Sequence, residues 1–369
     1  MKKIAKLSLV AAVAVAGLST TASAQALEEA IKNVDVSGTV VYRYDDKATD
    51  VVASDTDNKS SNYYKVAVSL KSKVTDDVAF NSRVLVADAK GGFAAGGLET
   101  NGGDANPGLT LSHANFAYTG VANTTVVVGK QGLPTPFTKV TDSDGSEQTG
   151  TGALALSTMG PITVAGGYFN QTNLTDGGED LAVVAVLGNM GPVSAKAYYI
   201  DLDETFSQYF VKASAKVGPA SIYAQYSDRD TDGLTANDDI SLLKVGASAK
   251  VGMFNAGIAY AETGKNGSGI INAVSENSAI GYTVDLSKAN NSSAIFVDLG
   301  AQVTDKLHIG LNYDEVSDDD TVAADDHKEY FTQITYNHAK NLSAYVRIAT
   351  GEDGTTDYNR GRLQVEYKF

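Results

Sequence analysis

The stretch GRLQVEYKF, residues 361–369, decides the fold, because it alternates without a break and stops on an aromatic residue. Its apolar members fall on one face of a strand and its polar members on the other. A soluble domain rarely finishes on a fully apolar strand face, whereas the last strand of an outer-membrane β-barrel needs apolar residues toward lipid and polar residues toward the interior. Tyr367 and Phe369 also resemble the carboxy-terminal signature read by the bacterial barrel-assembly machinery, so we predict that they form the assembly signal.

The amino terminus carries the second signal. Residues 1–24 have the pattern of a secretory signal peptide: Lys2, Lys3 and Lys6, an apolar run from Leu7 to Leu18, and the small-x-small site Ala22-Ser23-Ala24. We therefore predict a signal peptide at 1–24 and one outer-membrane β-barrel domain at 25–369. No other apolar run approaches the roughly 18 residues that a membrane helix requires, so any span must consist of strands. The predicted location is the outer membrane of a Gram-negative bacterium.

Composition narrows the class of protein. The sequence has 29 basic and 44 acidic residues, and removal of the three signal lysines leaves 26 basic residues and a net charge near −18. Such a field disfavours nucleic acid as a partner and favours a cation-attracting pore or a surface that binds divalent ions. Cysteine is absent, which excludes disulfides, thiolate metal sites and a thiol nucleophile.

Proline and glycine mark the connections between strands. All six prolines fall outside the predicted strands, as expected because proline would remove a ladder hydrogen bond. Three similar turns recur about every 30 residues, the period of a barrel hairpin: Met159-Gly160-Pro161, Met190-Gly191-Pro192 and Val217-Gly218-Pro219. Reading outward from them predicts eighteen strands: 34–45, 62–74, 78–88, 109–119, 124–131, 151–158, 162–170, 179–188, 193–202, 206–217, 220–228, 239–251, 254–262, 292–303, 306–315, 328–338, 341–350 and 358–369.

The connections alternate between short turns and mostly longer polar loops. Short ends are expected at the periplasm and long ends outside the cell. The segment 277–286 also has the pattern of a strand. Counting it would put the long loop 316–327 on the periplasmic side, so we assign 277–286 to an extracellular loop.

Alternation within the strands predicts a lipid face and a polar lumen. The strand at 206–217 shows the pattern clearly, with apolar Tyr209, Val211, Ala213 and Val217 opposing polar Gln208, Lys212, Ser214 and Lys216. Because tryptophan is absent, the interfacial aromatic belts must be built from 19 tyrosines and 11 phenylalanines. The alternative is a soluble sandwich or propeller, which explains neither the terminal phenylalanine nor the apolar faces along the whole chain.

Three segments carry a family resemblance. LEEAIKNVDVSGTVVYRYDD at 27–46, GKQGLPTPFT at 129–138 and the closing VEYKF resemble the campylobacterial (epsilonproteobacterial) major outer membrane protein family of porins. The resemblance implies an 18-stranded barrel, usually a trimer, that passes small hydrophilic solutes and favours cations. The chain is shorter than typical members of that family, and its long loops do not match residue by residue.

A lumen of this size needs something to narrow it, since barrels of about 16 to 18 strands leave an aqueous channel. The third long connection, 132–150, is the candidate, because the third loop of general porins folds inward and GKQGLPTPFT resembles the entry into it. This loop carries Asp142, Asp144 and Glu147. Inward positions on the last two and first three strands carry a continuous basic arc: Arg43, Lys65, Arg83, Arg347 and Arg362.

We predict that these acids and bases face each other across a pore constriction, where they would create a transverse field that orients polar solutes. The alternative is that the acids belong to a solvated surface loop and the bases to a solvated lumen.

Other motifs predict no catalytic, cofactor or dedicated metal site. Asp142-Ser143-Asp144-Gly145 resembles the start of a calcium loop, but the twelfth position is Ala153 instead of glutamate. The four histidines have no spacing typical of a metal site or a catalytic triad, so an enzyme is not expected. A loosely bound divalent cation, such as calcium bridging loop carboxylates to lipopolysaccharide, is left open.

The sequence therefore predicts an outer-membrane porin with a water-filled, cation-preferring channel for passive diffusion of small hydrophilic solutes and ions. Expected partners are outer-membrane lipid, lipopolysaccharide, the barrel-assembly machinery and two further copies of the chain in a homotrimer. A substrate-specific channel and a surface adhesin or antigen carried on a barrel are the alternatives.

Overall fold

A computed structural model describes residues 34–49, 59–87, 94–95, 108–142, 147–175, 178–233, 239–318 and 326–369. The described residues form one antiparallel sheet of nineteen strands, of which one is only two residues long. The predicted signal peptide at 1–24 lies outside the described residues. No helix in the described ranges is long and apolar enough to cross a membrane.

The strands follow one another around the sheet in chain order. Their bounds are β1 Val34–Thr49, β2 Lys59–Lys73, β3 Val78–Ala87, β4 Ala94–Ala95, β5 Gly108–Tyr118, β6 Thr124–Gly132, β7 Thr149–Met159, β8 Ile162–Thr172, β9 Leu181–Met190, β10 Val193–Leu202, β11 Phe206–Val217, β12 Ala220–Thr231, β13 Ile240–Val251, β14 Phe254–Thr263, β15 Ser292–Gln302, β16 Leu307–Asp318, β17 His327–Ala339, β18 Leu342–Asp353 and β19 Thr356–Lys368. The short strand β4 pairs with β2, and the other eighteen form the wall.

The sheet closes on itself. Strand β1 pairs with β2 on one side and with β19 on the other, so the first and last strands of the wall are neighbours. At this seam, the amide of Gly38 donates to the carbonyl of Phe369 at 2.9 Å, and the amide of Phe369 donates back at 3.0 Å. Closure removes both sheet edges and satisfies the backbone within the wall. The predicted closed barrel of eighteen strands is confirmed.

The short turns explain the repeated glycine. Gly160, Gly191, Gly218 and Gly252 each begin a two-residue connection, with φ between 58° and 60°. An added Cβ at Gly160 would meet nothing within 4 Å, so space does not select glycine there. The left-handed backbone conformation selects glycine, because only glycine adopts it at little cost. These turns define the short-turn end of the barrel, and the opposite end is the long-loop end.

The two faces of the wall follow the predicted alternation. On β11, Tyr209 is 41 % exposed on the outer face and Gln208 is 1 % exposed on the inner face. The inner face of the wall is not polar throughout, however. Toward the long-loop end, the inner face of β7 to β11 carries large apolar side chains, among them Phe169, Ile200 and Phe210.

These inner apolar side chains are covered by two loops that fold into the barrel. The third loop, described at 133–142 and 147–148, packs Leu133 and Phe137 against the inner face of β7 to β11. The seventh loop, residues 264–291, packs Val284 and Leu286 against β13 to β16. Assignment of 277–286 to a loop is correct, but the inward course of this loop was not predicted from the sequence.

Candidate pore constriction

The third loop enters the barrel through the segment 133–138. The amides of Thr135 and Phe137 donate to side-chain hydroxyls within this segment, and the Thr135 and Thr138 hydroxyls lie 2.8 Å apart. Pro134 and Pro136 restrict the backbone in between, as expected from their fixed φ. The ring of Phe137 then meets Phe210 edge-on with centroids 6.0 Å apart. This apolar anchor explains why the loop folds inward, as predicted.

Glu147 is bound to the wall where the third loop returns to β7. Its carboxylate accepts hydrogen bonds from Arg83 of β3 at 2.7 to 3.1 Å and from the Ser112 hydroxyl at 2.6 Å, and the Lys65 ammonium lies 3.9 Å away. Burial alone would raise the pKa of Glu147. The hydrogen bonds from Arg83 and Ser112 and the charges of Arg83 and Lys65 hold that pKa below its usual range.

The other two predicted acids of the third loop are Asp142 and Asp144. The Lys65 ammonium donates to the backbone carbonyl of Asp142 at 2.6 Å, so Asp142 also lies against the wall of β2. Asp142 and Lys65 line one cavity of about 190 Å³ on the inner side of β1 to β3. Asp144 lies outside the described residues.

The predicted basic arc is present on the inner face of five adjacent strands, and Arg347 and Arg362 are directly opposite each other on β18 and β19. Arg362 forms an ion pair with Asp45 of β1, with Nε and Oδ1 2.6 Å apart. Arg43 donates from Nε to the side-chain oxygen of Gln364 at 2.8 Å.

The arrangement differs from the predicted one in an important respect. Glu147 lies in contact with two members of the basic arc instead of across the lumen from it. Glu147 neutralises the wall bases that it contacts. It therefore does not contribute to the transverse field that charges on opposite sides of the lumen would create.

Two further residues lie beside this basic arc and were not predicted from the sequence: the aromatic Tyr282 and the acidic Glu329. The Tyr282 ring of the seventh loop lies under two guanidinium groups, with its centroid 4.5 Å from Cζ of Arg347 and 4.9 Å from Cζ of Arg362. The carboxylate of Glu329 on β17 accepts hydrogen bonds from the backbone amides of Tyr282 and Thr283 at 3.1 and 2.9 Å, and these bonds hold this part of the seventh loop in place. The strand-like pattern of 277–286 was the available signal, since apolar alternation indicates burial.

A second charged cluster lies on the wall of β10 to β13 and was also missed. Lys196 and Lys212 are directly opposite each other on β10 and β11, and the register continues through Gln225 to Lys244 on β13. Glu276 of the seventh loop bridges the first two lysines, with one carboxylate oxygen on each. Burial opposes ionisation of Glu276, but the hydrogen bonds and charges of these lysines hold its pKa below the usual value.

The two inward loops meet inside the barrel. The amide of Asn277 donates to the carbonyl of Pro136 at 2.7 Å, and the Asn272 side chain donates to Gln148 at 2.7 Å. The lumen is thus narrowed from two sides, by loops that are each tied to the wall through a glutamate. Within the described residues, no group of three or more histidines and carboxylates has the geometry to hold a metal ion.

Comparison with known proteins gives a family and a fold. The family model of the Campylobacter major outer membrane protein matches residues 1–191, about half of the chain. Curated protein sequences gave no significant match.

Solved structures of outer-membrane channels share the fold. Pseudomonas aeruginosa OpdL is 15 % identical, with a TM-score of 0.72 over 92 % of this chain and 99 % of its own. A BenF-like porin from Pseudomonas fluorescens Pf-5 is 16 % identical, with a TM-score of 0.69 over 92 % and 99 %. Acinetobacter baumannii OccAB1 is 14 % identical, with a TM-score of 0.69 over 91 % and 96 %. At this identity the similarity is one of fold.

Proposed function

The chain belongs to the Campylobacter major outer membrane protein family, and from this premise we propose that it is a porin through which small hydrophilic solutes and ions diffuse passively. One observation carries the proposal. The side chains of Glu276 and Lys196 are 32 % and 27 % exposed although both lie inside the barrel. Exposed charged side chains inside a closed wall indicate open polar space beside them, and water solvates such groups most favourably. The interior is therefore suited to an aqueous path.

Family and fold point to a channel rather than an enzyme, and to the outer membrane of a Gram-negative cell. We propose that residues 1–24 direct export and that the barrel-assembly machinery inserts the chain through its terminal Tyr367 and Phe369. The exposed apolar side chains of the outer face, such as Leu109, Phe116 and Ile348, suit contact with lipid. Lipopolysaccharide, a loosely bound divalent ion and a homotrimer belong to the same proposal.

A preference for cations is the finer part of the proposal. Its support lies at the long-loop end, where exposed acids outnumber exposed bases among the described residues: Asp46, Asp201, Asp203, Glu204, Asp230, Asp232, Asp239, Glu262, Glu352, Asp353 and Asp357, against Lys47, Lys265 and Lys288. An acidic mouth raises the local concentration of cations before they enter the lumen. The ion pairs of the two inward loops leave the interior closer to neutral.

Planar-bilayer recording of the purified full chain tests the function. We expect stepwise increases in current and, in a potassium chloride gradient, a zero-current potential of the sign that indicates cation preference. Absence of channels would contradict the porin proposal, and an anion-selective channel would contradict the role given to the acidic mouth.

A substrate-specific channel is the second candidate, and the doubly narrowed lumen favours it. Conductance measured at rising solute concentration separates a substrate-specific channel from a general porin, because the conductance of a dedicated channel saturates with one solute while that of a general porin does not. An adhesin role of the loops would be secondary to pore formation.

A further inference from the structure

A cavity beside the Glu276 carboxylate is not explained by the anchoring of the seventh loop. It has a volume of about 270 Å³ and lies on the inner face of β9 to β11, next to Lys196 and Lys212. Its polar lining is completed by Asn189, Ser194 and Ser214. The cavity therefore combines two cations, one anion and small hydrogen-bonding groups in a space of a few heavy atoms.

The two lysines are held in an arrangement that requires an anion. They are cross-strand partners, and like charges directly opposite each other destabilise a sheet. Glu276 relieves the repulsion with one oxygen on each ammonium, at 2.9 Å for Lys212. The cradle formed by the two ammonium groups thus already fits a carboxylate, because it holds one.

Glu276 leaves this cradle incompletely satisfied. The two lysine side chains are 27 % and 20 % exposed and the glutamate side chain is 32 % exposed, so solvent reaches all three. With one carboxylate between two ammonium groups, the cluster carries a net charge of +1. An ammonium has three donors, so each lysine retains capacity for a further acceptor.

The remaining lining is suited to the same kind of ligand. The Ser194 and Ser214 hydroxyls lie 2.7 Å apart on cross-strand positions two residues closer to the short-turn end than the lysines. Hydroxyls next to ammonium groups donate readily to a second carboxylate oxygen. Lys244, the next base along the wall, is directed to the backbone carbonyls of Glu276 and Ser278 instead.

The geometry points to a binding subsite for small carboxylate solutes in this cavity, with Glu276 as a tethered carboxylate that occupies half of the cradle. A solute carboxylate neutralises the remaining charge by sharing the two ammonium groups with Glu276. The site lies on the inner wall of β9 to β11, beside the middle of the seventh loop, so that solutes would meet it inside the lumen. This inference rests on the proposed channel function and names one solute class for it, in line with the substrate-specific candidate.

The test is block of the open channel in planar bilayers by potassium butyrate, compared with butyramide, at constant ionic strength. Butyramide has the same number of heavy atoms and no charge. We expect butyrate to reduce the current at lower concentration than butyramide. Lys196→Gln or Lys212→Gln should raise the half-blocking concentration of butyrate about tenfold, the effect of one lost charge-assisted hydrogen bond.

Three further variants sharpen the outcome. Lys216→Gln removes the same charge from the inner face of the same strand without lining the cavity, and should leave the half-blocking concentration within about twofold of wild type. Glu276→Gln removes the competing carboxylate and should lower the half-blocking concentration of butyrate. Ser194→Ala disturbs no ion pair and should raise the half-blocking concentration about threefold. This variant keeps the test informative if a lysine variant fails to fold.

Equal block by butyrate and butyramide in wild type would overturn the subsite, as would cradle variants that conduct normally and are blocked like wild type. A wild-type protein that forms no channel would instead contradict the proposed function.

Discussion

Glu147 and Arg83 are joined by three hydrogen bonds of 2.7, 3.0 and 3.1 Å, which tie the inward third loop to β3 of the wall. Both side chains are almost fully buried. The contact decides two properties at once. It holds the loop inside the barrel, and it removes an acid and a base from the field that a permeating ion experiences, because opposite charges at this distance cancel over longer distances.

Glu147→Gln should weaken the barrel markedly. The change leaves Arg83 buried without its carboxylate, a loss that typically costs about 3–5 kcal/mol. The measurement is the temperature or urea concentration at which the folded form, recognised by its migration in mild detergent without boiling, is lost. Asp76→Asn is the matched control, because it breaks the exposed Lys73 pair in a short turn and should change little. Equal stability of the two variants would contradict the anchoring role of Glu147.

The contacts of Glu147 and Glu276 with their basic partners should persist between pH 7 and 5 and weaken at lower pH. Glu147 and Glu276 both have pKa values lowered by their basic partners. Their stabilisation is complete above the unfolded value of about 4.3 and is lost as the pH falls through the lowered folded values. We expect open-channel noise to grow below about pH 4 as the loops loosen. Single-channel recordings at pH 7, 5 and 3.5 check this, and noise at pH 3.5 no greater than at pH 5 would argue against these two anchors.

Gly281→Ala should displace the turn of the seventh loop. An added methyl group there would overlap the Asp314 carboxylate of β16, while the turn itself is closed by the Gly281 amide on the carbonyl of Val284 at 2.8 Å. We expect a smaller single-channel conductance, because Tyr282 moves away from the wall and into the lumen, and a loss of about 1–3 kcal/mol of stability. Gly166→Ala is the control, since its Cβ would meet nothing within 4 Å. Identical conductance of both variants would contradict the inward seventh loop.

Removal of Phe369 should impair assembly more than conduction. The residue makes both backbone hydrogen bonds with Gly38 at the seam, and its ring stacks on Tyr367 with centroids 5.9 Å apart. The measurement is the amount of protein in the outer membrane, with the conductance of any assembled protein as the second readout. Lys368→Gln serves as a control that keeps the terminal aromatic. Normal outer-membrane levels of the truncated chain would refute the assembly signal at Tyr367 and Phe369.

The source of cation preference can be separated by salt. Combined Glu352→Gln, Asp353→Asn and Asp357→Asn should reduce the zero-current potential in dilute potassium chloride and have little effect near 1 M, where the Debye length is about 3 Å. Combined Asp142→Asn, Asp144→Asn and Glu147→Gln should reduce it at both salt concentrations, because Arg83 then faces the lumen without its counter-charge. An unchanged potential in the second variant would refute the place of the third loop at the constriction.

Local patterns predicted the strands well. The bounds 193–202 and 206–217 agree with β10 and β11 at both ends, because turn chemistry and period-2 alternation depend on residues close in sequence. The first strand, predicted at 34–45, extends to Thr49. It continues past its apolar residues because Asp46 and Lys47 still pair with β2 and β19, although no lipid face selects their side chains.

The candidate site was predicted in part for the same reason. The five bases of the arc could be found because strand parity alone decides which side chains face inward. The contact of Glu147 with Arg83 joins residues 64 positions apart and depends on the path of a loop. Lys212 was predicted on the polar face of its strand, but its pairing with Lys196 and Glu276 was missed, because no short-range pattern connects a loop acid to bases on two strands that lie far from it in sequence.

The sequence by itself determined that the chain is a closed outer-membrane barrel, how many strands form its wall, where they turn and which side chains face inward. These are consequences of alternation and turn geometry, which act between neighbouring residues. Only the tertiary structure decided that two loops instead of one enter the lumen and that acids there bind the wall bases directly. Loop paths are set by burial of Phe137, Val284 and Leu286 against distant strands, and that free energy exists only once the barrel has closed around them.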